Sequence, residues 1–85
     1  MESINFTRVN NDTNGNPRYV CHFFNLIGDN ECEGFSISEQ YNFALNRAKK
    51  IGGKKFHNKQ FGGGVVFQSY NITQTEKDIN ELLNK

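Results

Sequence analysis

Tryptophan is absent from these 85 residues, and proline and methionine occur once each. The hydrophobic fraction is only 35%. No apolar run approaches the ~20 residues that a membrane-spanning helix needs, so no membrane partner is expected. Only two cysteines and two histidines are present. The gap of eleven residues from Cys21 to Cys32 matches no zinc-ligand pair, so no metal and no cofactor is expected. Two free thiols in a reducing compartment are the expected state. Three Asn-X-Thr triplets begin at Asn5, Asn11 and Asn71. No secretory leader pattern stands ahead of them, and they are expected to stay unmodified.

What the chain does have is aromatics, with eight Phe and three Tyr. Each ring buries a large area, so a few can hold together a small core. The length predicts one small domain over residues 1–85, near the lower size limit for folding without staples. Homodimerisation would be a second way to bury apolar surface in so short a chain.

Strand character is expected over residues 3–9 and, more strongly, over 18–27, with a turn between them centred on Asn14-Gly15. Val20, Phe24 and Leu26 alternate with Tyr19, Cys21, Phe23 and Ile27, which predicts a central strand with apolar residues on both faces. Residues 37–51 have a helical period, with Ile37, Tyr41, Ala44, Ala48 and Ile51 on one face. Ser36 and Glu39 have capping-box spacing, and Gly52 stands where a left-handed cap is wanted. A second hairpin is expected from 54–61 and 64–70, with its turn either at Asn58-Lys59 or at Gly62-Gly63. A C-terminal helix should start at Thr73, boxed by Glu76, with Ile79, Leu82 and Leu83 as its apolar edge. The expected fold is α+β: a small, four-stranded, mainly antiparallel sheet packed on one main helix, in the order β-β-α-β-β-α. The expected core is Phe6, Val20, Phe24, Leu26, Tyr41, Ala44, Ala48, Ile51, Val65, Phe67 and Leu82.

The glycine tracts invite comparison with phosphate-cradling loops. In the Walker pattern, glycines and lysine lead through Ser or Thr into a helix. Here Lys55 replaces the hydroxyl residue and a strand follows, so both that pattern and the dinucleotide fingerprint fail. Gly62 to Gly64 are expected to make a turn, a bulge or a close backbone approach. His22 sits among large apolar residues, and no pairing of nucleophile and base is evident, so no catalytic residue and no enzyme are expected.

The net charge of +1 hides an uneven distribution. Arg47, Lys49, Lys50, Lys54, Lys55 and Lys59 fall within thirteen residues that contain no acid. Asp29, Glu31, Glu33 and Glu39 precede them, and Glu76, Asp78 and Glu81 follow. Phe43 lies about 120° from the centre of the helical stripe, at about 100° per residue, which places it among cations. His57 and Phe61 extend the same region onto the hairpin. Cations interleaved with aromatic faces suit nucleic acid, through phosphate neutralisation and base stacking. They also suit an acidic protein surface with an aromatic anchor.

Over residues 14–71, from "NGNPRYVCHFFNLI" to "RAKKIGGKKFHNKQFGGGVVFQSYN", the chain resembles small proteins of bacteriophages and other bacterial mobile elements. The resemblance implies a bacterial host cytoplasm and an accessory role. Such proteins bind nucleic acid, or block a host defence or nucleic-acid-handling complex. The expected function is therefore non-enzymatic nucleic-acid binding through Phe43, Arg47, Lys49, Lys50, Lys54, Lys55, His57, Lys59 and Phe61. The alternative is a protein-interaction inhibitor of the anti-defence type.

Overall fold

The computed structural model describes residues 4–60, 62–68 and 71–84. Four strands form one antiparallel sheet: β1 (Thr7–Val9), β2 (Arg18–His22), β3 (Lys54–Asn58) and β4 (Gly62–Gln68). Their order across the sheet is β1-β2-β4-β3. The two hairpins therefore sit side by side, with the better apolar strand of each at the centre. Two helices, α1 (Ile37–Lys49) and α2 (Ile72–Leu83), complete the expected α+β order.

Strand register fixes the two faces of the sheet. Cys21 is paired with Val65 and Tyr19 with Phe67. Cys21, Val65 and Phe67 cluster with Ala44 and Ala48 of α1 and with Ile79 of α2, so this face carries the helices. Because side chains alternate along a strand, Val20 and Val66 lie on the outer face, and both are buried there. The helix-side core is bounded by Phe6, whose ring meets Phe67 edge to face, and by Ile4, Tyr41, Ile51 and Leu83.

The ends of α1 follow the local chemistry of the sequence. Ser36 Oγ accepts from the Glu39 amide, and Glu39 Oε1 accepts from the Ser36 amide at 3.0 Å, closing the capping box. At the far end, Gly53 N–H donates to Ala48 C=O at 2.8 Å and Gly52 N–H to Lys49 C=O. These are the two bonds of a Schellman ending, and Gly52 takes the left-handed φ of +87° that it requires. The first turn tightens at Gly15, as expected, with φ +82° and its amide bonded to Asp12 C=O. Asp12 Oδ1 accepts from the amides of Asn14 and Asn16, which fixes the rest of that loop.

Several boundaries differ from the sequence expectation. The strand predicted over 18–27 ends at His22, and a 3₁₀ helix occupies Phe23–Leu26. His22 Nδ1 accepts from the Phe24 amide at 3.3 Å, capping that turn, and the rings of His22, Phe23 and Phe24 stack along it. The tighter helical step buries Phe23 and Leu26 and turns Phe24 outward, 49% exposed, so Phe24 leaves the expected core. Ile37 is also exposed: Tyr41 already lies over Gly63 near the start of β4, and Ile37 extends one turn past it. The C-terminal helix is capped by Asn71, whose Oδ1 accepts from the Gln74 amide, and Thr73 is not its cap. Glu76 instead accepts from the Ile4 amide at 2.9 Å, tying the N-terminal segment to α2. The second hairpin turns at Lys59-Gln60, and Gly62 re-enters the sheet opposite Asn58 with φ +80°. Tyr70 and Phe61, both assigned to that hairpin, lie outside the described residues.

Candidate nucleic-acid interface

The fold divides the basic block into unequal parts. At 3.6 residues per turn, Lys49 stands about 200° around the helix from Arg47, and Lys50 only about 60° from it. Arg47 and Lys50 therefore share one flank of α1 and Lys49 lies on the other.

Arg47 is engaged within the fold. It pairs through both terminal nitrogens with the Glu31 carboxylate, the Nη2 contact being 2.8 Å, and Nη1 also donates to the Leu26 carbonyl at 3.1 Å. Its guanidinium stacks over Phe43 at 4.8 Å, and Phe35 meets Phe43 edge-on at 6.2 Å. Arg47 holds the acidic loop 28–35 against α1, with Glu31 also accepting from the Gly28 amide. The guanidinium hydrogen bond is the main reason the Glu31 carboxyl titrates below its usual range, and the same bond raises Arg47. Phe43 is half-buried in this arrangement. Lys50, on the same flank, shares a cleft with Asp78 and Glu81 of α2.

The hairpin arm is different. Lys54, Lys55, His57 and Lys59 are all exposed, and so is Lys49. Among the described residues, none of Lys49, Lys54, Lys55 and Lys59 is held in an ion pair. β3 is an edge strand, bonded only to β4, so the arm lies along the rim of the sheet. Register splits the arm's side chains between faces. Lys55 opposite Val65 and His57 opposite Gly63 lie on the helix side; Lys54 opposite Val66 lies on the outer face.

The glycine tract beside the arm has structural duties. A Cβ on Gly63 would stand 3.3 Å from the Phe23 ring and 3.8 Å from Tyr41. The Tyr41 hydroxyl lies 3.1 Å from the carbonyl oxygens of both Phe56 and Gly64, where it donates to the β3–β4 ladder. The missing side chain of Gly63 lets the two rings approach β4, a structural reason for glycine that calls for no phosphate. The thiols are structural as well. Cys21 and Cys32 are free and buried, and burial pushes the Cys21 thiol up to about 12. Among the described residues, no group of three or more His, Cys, Asp or Glu side chains could hold a metal ion. None of the described helices is long and apolar enough to cross a membrane.

One basic residue outside the predicted block joins the arm. Arg18, at the start of β2, is paired with Gln68, and Lys54 with Val66, two residues earlier on β4. Both cations therefore stand on the outer face, on either side of the same central strand. No spacing in the sequence signals this, because it depends on β2 pairing with β4 across the α1 connection.

The whole chain, residues 1–85, matches the family model described as Staphylococcus phage terminal repeat-encoded protein TreK. No curated protein and no solved structure matches significantly. The chain belongs to this staphylococcal phage family, in keeping with its resemblance to small phage proteins.

Proposed function

We propose that this small phage protein is a non-enzymatic module that binds nucleic acid electrostatically along the β3 arm. Lys49, Lys54, Lys55 and Lys59 provide the phosphate contacts, and His57 lies between them. The observation that carries this reading is the asymmetry of the basic block. Arg47 is held in an ion pair with Glu31, whereas Lys49, Lys54, Lys55 and Lys59 are exposed and without ion-pair partners among the described residues. Phosphate neutralisation releases counterions, so affinity gained in this way is lost steeply as salt rises. Action in the host cytoplasm fits both the phage family and the absence of a spanning helix among the described residues.

Fluorescence anisotropy with labelled single- and double-stranded DNA and RNA at low salt tests the proposal. Binding is expected. The Lys54→Glu/Lys55→Glu/Lys59→Glu variant should weaken it at least ~10-fold and flatten the log–log salt dependence by ~0.7–0.9 per lost phosphate contact. Absence of binding to every nucleic acid tested would refute the proposal.

A second reading is favoured by a different corner of the molecule. Among the described residues, Phe24, Phe35 and Ile37 are the exposed large hydrophobic ones, 49%, 41% and 62% accessible. Phe24 lines an open cleft of about 430 Å³ together with Asp29 and Glu33. An apolar patch with acids beside it suits a basic protein surface, as an inhibitor of a host defence or nucleic-acid-handling complex would need. Capture of a defined complex from staphylococcal lysate that survives nuclease treatment, and is lost in Phe24→Ser, would favour this reading over the first.

A further inference from the structure

We infer that Arg18, which lies outside the basic block, forms with Lys54 a phosphate seat on the outer face of the sheet. The inference deepens the nucleic-acid reading by naming where one phosphate of the ligand is held. Arg18 and Lys54 line a single cleft of about 230 Å³ with Lys55, Gly52, Val66, Gln68 and Asp12. Register places the two cations on the strands flanking β4, on one face, offset by two residues. Adjacent strands are about 4.8 Å apart, so their backbones lie ~10 Å apart across the sheet, and long side chains can converge from both sides over Gln68 and Val66.

The seat is partly organised in advance. Arg18 Nε donates to the Asn10 carbonyl at 2.8 Å, which orients the guanidinium while its terminal nitrogens have no hydrogen bond to the described residues. A planar guanidinium with two terminal nitrogens available matches phosphate oxygens well, and the Lys54 ammonium adds a point charge. Gln68 is held by an amide hydrogen bond to Asp12 Oδ2. Asp12 is the one carboxylate in the lining. Hydrogen bonds from the Asn16 and Asn14 amides, with Arg18 nearby, hold it below the usual carboxylate range, so it is ionised at neutral pH. On the outer face the seat sets two cations, Arg18 and Lys54, against one anion, a net attraction for phosphate that Asp12 moderates, and Lys55 borders the cleft from the helix side of its strand.

The moderating acid supplies a discriminating test. Asp12→Asn keeps the Oδ1 acceptor for the Asn14 and Asn16 amides; it removes the charge together with the Oδ2 acceptor of the Gln68 and Asn16 side chains. The wild type, Asp12→Asn and Arg18→Gln would be titrated with labelled oligothymidylate and, separately, with inorganic pyrophosphate. Backbone amide shifts of Arg18, Gly52 and Gln68 would be followed by heteronuclear NMR. With oligothymidylate, shifts at these amides are expected, with several-fold tighter binding by Asp12→Asn and several-fold weaker binding by Arg18→Gln. If oligothymidylate binds but neither variant changes affinity, the seat is overturned and the nucleic-acid reading stands. If no nucleic acid binds while pyrophosphate moves these amides in an Arg18-dependent way, the seat stands as a site for free phosphates and the nucleic-acid reading falls. If neither probe moves them, both fall.

Discussion

Gly53 is held by its neighbours and not by its backbone. A Cβ there would stand 2.7 Å from Ala48 Cβ and 2.8 Å from atoms of Phe67 and Val65, so α1, β4 and the start of β3 meet at a point with no room for a methyl group. Gly52 beside it is different: nothing lies within 4 Å, and its left-handed φ is the requirement. Gly53→Ala should therefore lower the denaturant midpoint by an amount equivalent to ~1–3 kcal/mol, the usual cost of overpacking, with an unchanged slope. A midpoint equal to the wild type would show that the helix–sheet contact is slack. Tyr41 and Phe23 illustrate the same economy. Their rings use the bare backbone of the glycine tract as a packing surface, which a sequence rich in glycine does not announce.

At the scale of elements, the two ends of α1 are secured by local chemistry, and its flank by a long-range pair. The bond from Arg47 to Glu31 joins α1 to a loop sixteen residues earlier in the chain, the segment of residues 28–35 in which Cys32 is buried. This pair makes stability depend on pH with a definite sign. The folded Glu31 carboxyl titrates below its ordinary value of 4.5. Its contribution is therefore fully present above 4.5 and is lost as the pH falls through the lower folded value. Glu31→Gln should remove that part of the acid destabilisation, so that wild type and variant converge in stability below the folded pKa and diverge above 4.5. Thermal melts across pH 2–7 would check this, and curves that stay parallel throughout would contradict it. Interaction of Arg47 with a partner would have to compete with this ion pair.

At the scale of the whole molecule, the basic arm has a second consequence. β3 is a sheet edge, and an unpaired edge is a template for pairing with other chains. Lysines along such an edge oppose that pairing, because two like arms repel and each ammonium must be desolvated. Lys54→Val/Lys55→Val retains strand propensity and removes the guard. It should self-associate at concentrations where the wild type scatters light as a single species, and the association should persist at high salt. Lys54→Gln/Lys55→Gln, which is polar, should remain unassociated. The same arm would thus keep the sheet edge closed to protein strands and open to polyanions. Edge protection would be independent of any ligand, whereas nucleic-acid binding would be abolished by salt.

The sequence by itself determined the features that depend on near neighbours. The helix expected over residues 37–51 and observed over 37–49, its capping box, the left-handed Gly52 and the turn at Gly15 all follow from spacings of a few residues, so they were legible without coordinates. So was the α+β order, since each segment declares its own period. Failures came where a short-range rule competed with another contact. The run from Arg18 to Ile27 has strand propensity throughout, yet the His22 cap and the stacked rings convert its second half to 3₁₀ and turn Phe24 outward. Thr73 and Glu76 have box spacing, but Asn71 caps α2 and Glu76 is drawn to the Ile4 amide. Tertiary structure alone decided which cations belong together. Charge in a sequence is ordered along one dimension, and pairing β2 with β4 brings Arg18 beside Lys54 while the helix turn sends Arg47 to Glu31. The basic block that looked continuous in the chain is divided by folding into Arg47, held by Glu31, and lysines that stay exposed, because each side chain's partners are set by register and helical phase.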